Sequence, residues 1–194
     1  MTTSSETSVT TQVYRVYIKA TPEAIWTAIT DPDWTEKYGY GTRNECELRP
    51  GGSFRALSNE GMLQTGAPEV AIDGEIIEVV PNQKLVQTWK MAMDPEVAAE
   101  GFSRLTYEIA PSTDEVSTLT VSHELVNAPK LAVPLAGEME STGAGGGWNW
   151  VLSDLKTLLE TGTALKGGHH SAVRSAVGKR MSQLQSKRLR HPFY

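Results

Sequence analysis

The stretch that most limits how this chain can fold is Gly145-Gly146-Gly147-Trp148-Asn149-Trp150-Val151-Leu152-Ser153-Asp154-Leu155-Lys156-Thr157-Leu158-Leu159-Glu160-Thr161-Gly162. Trp148, Val151, Leu152, Leu155, Leu158 and Leu159 recur on a 3.6-residue period, which makes one apolar stripe. The spacing predicts a helix over residues 145–162, entered through a glycine cluster and closed by Gly162 at C′. A helix this amphipathic needs a broad apolar partner, and most of the remaining chain reads as strands. A long helix across a curved antiparallel sheet leaves a space between the two layers.

The strands are read from alternation. Residues 12–20 place Tyr14, Val16, Ile18 and Ala20 in one phase and Arg15 and Lys19 in the other. Thr21-Pro22-Glu23 then starts a short helix, with Thr21 as N-cap and Pro22 at N1. Asp31-Pro32 ends it and begins a second helical turn through Trp34 to Tyr38. Strands follow at 45–48, 54–57, 70–80, 84–91, 104–109 and 117–125. Residues 59–68 read as a loop, 94–101 as an irregular or briefly helical link, and 111–115 as a turn. Residues 127–142 lead to the long helix, with helical content around 131–140. One strand, two short helices, six strands and a long helix imply an antiparallel meander covered on one face, an α+β fold.

Composition sets the boundaries around this unit. Seven of the 18 Lys and Arg residues lie between Lys166 and Tyr194, where there is no acidic residue. The remaining 11 face all 23 Asp and Glu residues, so an acidic body of formal charge −12 carries a basic tail. Residues 1–11 are Ser/Thr-rich and read as a disordered N-terminus. Residues 12–162 form the folded domain, and 163–194 a basic extension, helical or disordered. In the tail Val173, Val177, Met181 and Leu184 share one helical face. No apolar run approaches the roughly 20 residues of a membrane span, and the start lacks the pattern of a signal peptide. With a single cysteine, Cys46, the chain has no intrachain disulfide, and a cytoplasmic location is expected.

Several segments resemble one known family. They are Ile18-Lys19-Ala20-Thr21-Pro22-Glu23-Ala24-Ile25-Trp26, Leu48-Arg49-Pro50-Gly51-Gly52-Ser53-Phe54, the run from Gly74 through Pro81-Asn82-Gln83-Lys84 to Trp89, and Gly147-Trp148. In this order, over about residues 12–162, they are similar to the Hsp90-ATPase-activator-homologue branch of the START/Bet v 1-like (SRPBCC) superfamily. The resemblance implies a helix-grip fold: a seven-stranded antiparallel sheet wrapped around a long C-terminal helix, with an apolar cavity between them. It also implies a choice of functions, since the superfamily includes lipid and hormone binders, polyketide cyclases, stress proteins and co-chaperone domains.

The residues themselves favour binding. Side chains on the concave phase of the strands and on the helix stripe are candidate ligand contacts: Trp26, Tyr38, Tyr40, Phe54, Met62, Trp89, Met91, Tyr107, His123, Trp148 and Leu152. Aromatic and methionine side chains offer large, adaptable apolar surface, and Tyr, Trp and His orient a polar group; their plainer role is to fill a core. His123 shares a phase with Leu119 and Val121 and points toward the helix. If the protein is an enzyme of polyketide cyclase or aromatase type, His123 is the acid/base, aided by Glu75 or Tyr107. The direction of Glu75 stays open, because both phases of its strand are apolar.

No metal set and no cofactor motif is present, and His169-His170 has no close ligand partner. The expected function is binding of a small hydrophobic molecule: a lipid, polyketide or aromatic metabolite. The alternatives are the cyclase-like enzyme and a stress-response or chaperone-associated interaction protein. Partners to consider are the small molecule, a second copy of the chain as a homodimer, and a protein engaged through the basic tail. Nucleic acid and membrane rank below these.

Overall fold

The computed structural model describes residues 9–142 and 145–165. Residues 1–8, 143–144 and 166–194, the last holding the basic tail, lie outside the described residues. Seven strands form one antiparallel sheet: β1 (Val9–Ile18), β2 (Arg43–Cys46), β3 (Ser53–Leu57), β4 (Val70–Val80), β5 (Lys84–Met91), β6 (Ser103–Thr113) and β7 (Val116–Val126). Their spatial order is β1-β7-β6-β5-β4-β3-β2, so β1 joins the far end of a meander.

The helices are α1 (Pro22–Thr30), α2 (Pro32–Thr35), α3 (Glu60–Gln64), α4 (Pro95–Ala98), α5 (Pro129–Ala136) and α6 (Gly147–Thr161), with a 3₁₀ turn at Glu140–Thr142. The Thr21 hydroxyl accepts from Ala24 N–H at 3.3 Å and Asp31 caps α2 through Asp33 N–H at 2.8 Å, so α1 and α2 begin where their cap residues stand. α6 ends at Gly162, whose φ of 76° and N–H bond to the Leu158 carbonyl make the left-handed stop read from the sequence.

Three local expectations need correction. β1 starts at Val9, inside the segment read as disordered, because Val9, Thr10 and Thr11 pair with Val126, Leu125 and Glu124 of β7. Backbone pairing with a long neighbour extends the strand where side-chain pattern is silent. The segment 59–68 contains α3, started by Asn59, whose side chain accepts from Met62 N–H at 3.0 Å. β6 runs past Pro111 to Thr113. Its pairing with β5 ends at Glu108, so the missing proline N–H breaks no ladder bond on that side.

One face of the sheet carries the core. Paired residues share a face, so Ile76, Gln87, Leu105 and His123 form one row across β4, β5, β6 and β7, and each is 1% exposed or less. α6 lies over this face with Trp148, Leu152, Leu155 and Leu158 buried. Its C-terminal half is tied to β1 and the residue after it: Lys156 Nζ donates to the Tyr17 carbonyl at 2.8 Å, and Glu160 accepts from Lys19 N–H at 2.8 Å.

Its N-terminal end is fixed by contact between backbones. Gly147 has a φ of +60°, and a Cβ there would stand 2.1 Å from the Leu135 carbonyl oxygen. Only glycine lets α6 start this close to the end of α5. Gly147→Ala is therefore expected to lower folding stability by at least about 2 kcal/mol, read as a fall in the urea midpoint at unchanged m-value.

Candidate functional site

Between sheet and α6 lies a cavity of about 590 Å³. Its deep walls are Phe54, Ala71, Trp89 and Trp148, all buried. Exposed Lys37, Thr65 and Met93 mark its mouth, beside the ends of α2, α3 and β5. Eight of the eleven residues singled out from the sequence line it: Tyr38, Tyr40, Phe54, Met62, Trp89, Met91, Tyr107 and Trp148. Trp26 and Leu152 are buried in the core instead. Glu75 is exposed on the outer face, away from His123, since its neighbour Ile76 takes the inward position on β4.

His123 is fully buried and lies in the wall rather than on the cavity surface. The Trp148 indole N–H donates to Nδ1 at 3.2 Å, and Ser103 Oγ lies 2.7 Å from Nε2. An indole nitrogen only donates, so Nδ1 is the acceptor and the proton of the neutral ring sits on Nε2. Nε2–H then donates to Ser103 Oγ, and the Ser103 hydroxyl donates to the Trp89 carbonyl at 2.8 Å. Every position on the ring is used. Burial lowers the His123 pKa to about 3, which keeps the ring neutral. The chain Trp148–His123–Ser103–Trp89 thus holds two aromatic walls of the cavity, and edge-on contacts of the His123 ring with Trp89 and Trp148 at 5.2 and 6.1 Å reinforce it. With no free nitrogen, His123 positions these side chains and is not placed for proton transfer with a ligand.

The tyrosines divide into two kinds. Tyr38 donates to the Ala28 carbonyl at 3.1 Å, and the Tyr40 oxygen accepts from Gly147 N–H at 2.9 Å at the first turn of α6. The Tyr107 ring stands edge-on to Trp148 at 6.0 Å, and its hydroxyl has no hydrogen-bond partner among the described residues. Burial pushes its pKa well above 10, so it is a neutral phenol. Burial likewise pushes the Cys46 thiol up to about 12, which leaves it protonated and unreactive.

Two residues missed in the sequence complete the rim. Asp154 is buried, and its two carboxylate oxygens accept from Gly39 N–H at 2.8 Å and Leu165 N–H at 2.5 Å. Trp150 donates to the Gly39 carbonyl at 3.1 Å. Together they fasten the 38–41 loop and the chain after α6 to the helix. The signal was available: Asp154 has Trp150 one turn before it and Leu158 one turn after it, a poor setting for a solvated acid. Among the described residues no group of three or more His, Cys, Asp or Glu side chains is placed to hold a metal, and no helix is long and apolar enough to cross a membrane.

A curved seven-stranded sheet, a long covering helix and an apolar cavity between them define a helix-grip protein. The family model described as "Activator of Hsp90 ATPase homolog 1-like protein" matches residues 19–160, and the chain belongs to that family. No curated protein matches the sequence. Among solved structures, MLL2253 from Mesorhizobium loti is 24% identical, with a TM-score of 0.58 over 77% of this chain and 96% of its own. PFC0360w, an Hsp90 activator from Plasmodium falciparum, is 19% identical, with a TM-score of 0.55 over 77% of this chain and 95% of its own. DynU16, a protein in the dynemicin biosynthetic locus, is 19% identical, with a TM-score of 0.55 over 79% of this chain and 48% of its own. These likenesses show the fold.

The His123 setting fixes a pH dependence. Its folded pKa lies below the ordinary 6.5, so under acid conditions the unfolded chain takes the proton first. The stability it supports is complete above pH 6.5 and is lost as pH falls toward 3, by an amount on the order of 4 kcal/mol. In urea titrations between pH 7 and pH 4, His123→Leu should lower stability at pH 7 and flatten the slope relative to the parent.

Proposed function

We propose that the protein binds a small hydrophobic molecule, such as a lipid, a polyketide or an aromatic metabolite, between its sheet and α6. One observation carries this reading. A cavity of about 590 Å³ stays open between the two layers of the domain. Interiors of this kind normally close around voids, because each one forfeits packing contacts. The volume is in the range of small-molecule sites, roughly 300–1,000 Å³. Its walls are aromatic and methionine side chains, which suit a flat or flexible apolar skeleton.

The enzymatic alternative, a polyketide cyclase-like reaction, has less support. Of its three candidate groups only Tyr107 faces the cavity. The family's link to Hsp90 supports a second reading, an interaction protein whose partner is a chaperone. Calorimetric titration with purified Hsp90 tests it, and a flat titration removes it.

For the leading reading, native mass spectrometry of the purified protein is expected to show a bound small molecule, or calorimetry to show one-to-one binding from a panel of fatty acids, flavonoids and polyketides. Met91→Trp, which fills the cavity from β5, should weaken that binding about tenfold or more while the melting temperature changes little. Absence of both a co-purifying molecule and any binding in the panel would defeat the reading.

A further inference from the structure

Gln87 is the one buried side chain among the described residues whose polar atoms all lack a partner. It is 1% exposed, and neither Oε1 nor Nε2 has a hydrogen-bond partner. Buried amides are almost always paired, because an unmet donor or acceptor carries the full cost of losing water. The register places it on the concave face, opposite Ile76 on β4 and Leu105 on β6. Trp89 stands two residues along the same strand, and Tyr107, opposite Leu85, is its diagonal neighbour on β6. Both of these aromatics line the cavity. Gln87 itself does not line the cavity, but on the sheet it sits between two residues that do.

Tyr107 lines the cavity and adds a hydroxyl with no protein partner among the described residues, though unlike the Gln87 amide it is not sealed from the cavity. The remaining inward residues around the amide, Ile76, Leu85 and Leu105, are apolar, and His123 in the same row is neutral with both nitrogens used. Nothing there balances a formal charge.

We propose that the Gln87 carboxamide and the Tyr107 hydroxyl form a polar subsite that receives an uncharged ligand edge carrying a donor and an acceptor side by side. A lactam, a carboxamide or a phenol beside a carbonyl has this chemistry. The inference rests on the reading of the cavity as a ligand site. The glutamine side chain is unbranched, and rotation about its outer torsions, or a shift of the Tyr107 ring, turns the amide toward the ligand. An apolar skeleton then fills the cavity while one edge pairs with both groups.

The test is calorimetry on the full chain with two probes of similar shape, 2-naphthamide and 2-isopropylnaphthalene. The readout is the ratio of their dissociation constants. In Gln87→Met, an unbranched replacement without hydrogen-bonding groups, the ratio is expected to move at least about tenfold in favour of the apolar probe. The melting temperature should hold or rise, because an unpaired amide has been removed. Tyr107→Phe should move the ratio in the same direction with the fold intact. If both probes bind and the ratio is unchanged in both variants, the subsite is wrong and the ligand cavity stands. A lower melting temperature in Gln87→Met with an unchanged ratio shows that the amide is satisfied by internal water, which also overturns the subsite. If neither probe binds the unaltered protein, while a panel ligand does, the subsite falls alone; if nothing binds, the cavity reading falls with it.

Discussion

The hydrogen bond from the Trp148 indole to the His123 ring joins helix to sheet at one fully buried point, and the shape of the cavity depends on it. An indole offers only a donor and must find an acceptor when buried. A neutral imidazole offers one acceptor and one donor, so the bond to Trp148 leaves Nε2–H to be used on the other side. Ser103 Oγ accepts it and donates its own hydroxyl hydrogen bond to the Trp89 carbonyl. A residue that invites a catalytic reading thus serves to orient two walls, and the fit holds only while the ring is uncharged.

The cavity persists because the helix is anchored at both ends. At its start the Gly147 backbone rests against the end of α5, and the Tyr40 hydroxyl oxygen accepts from the Gly147 N–H. Toward its end Lys156 and Glu160 bind the backbone of β1 and the residue following it. Leu155 and Leu158 pack as ordinary core between these anchors and the sheet. Near Trp148 the layers cannot close further without breaking the glycine contact or the indole bond. The void is therefore held open jointly by the backbone contact at Gly147 and the side-chain bond between Trp148 and His123.

Much of this was readable from the chain. The α6 stripe and the alternation in β1, β5 and β7 specify layers and faces, because burial on one side imposes a period. Five of the eight candidates that reach the cavity, Phe54, Trp89, Met91, Tyr107 and Trp148, do so for the same reason. Five features were not readable in this way. Val9–Thr11 join the sheet through backbone bonds, which leave no mark on side-chain pattern. α3 is too short to show a period. Glu75 sits in a strand with apolar residues in both phases, so its direction depends on the register with β5 and the irregularity between Ile76 and Glu78. The pairing of His123 needs three residues brought together from β6, β7 and α6. Gln87 shares the phase of Leu85 and Trp89 along β5, yet whether a buried amide is paired is a three-dimensional fact.

Three of the five tryptophans, Trp89, Trp148 and Trp150, border the cavity, while Trp26 and Trp34 do not. The emission of an indole depends on the polarity and mobility of its surroundings. Filling the space would change the surroundings of Trp89 and Trp148 and leave the other pair as an internal reference. The architecture that holds the cavity open therefore also makes the protein an optical sensor of its own occupancy, with no label attached.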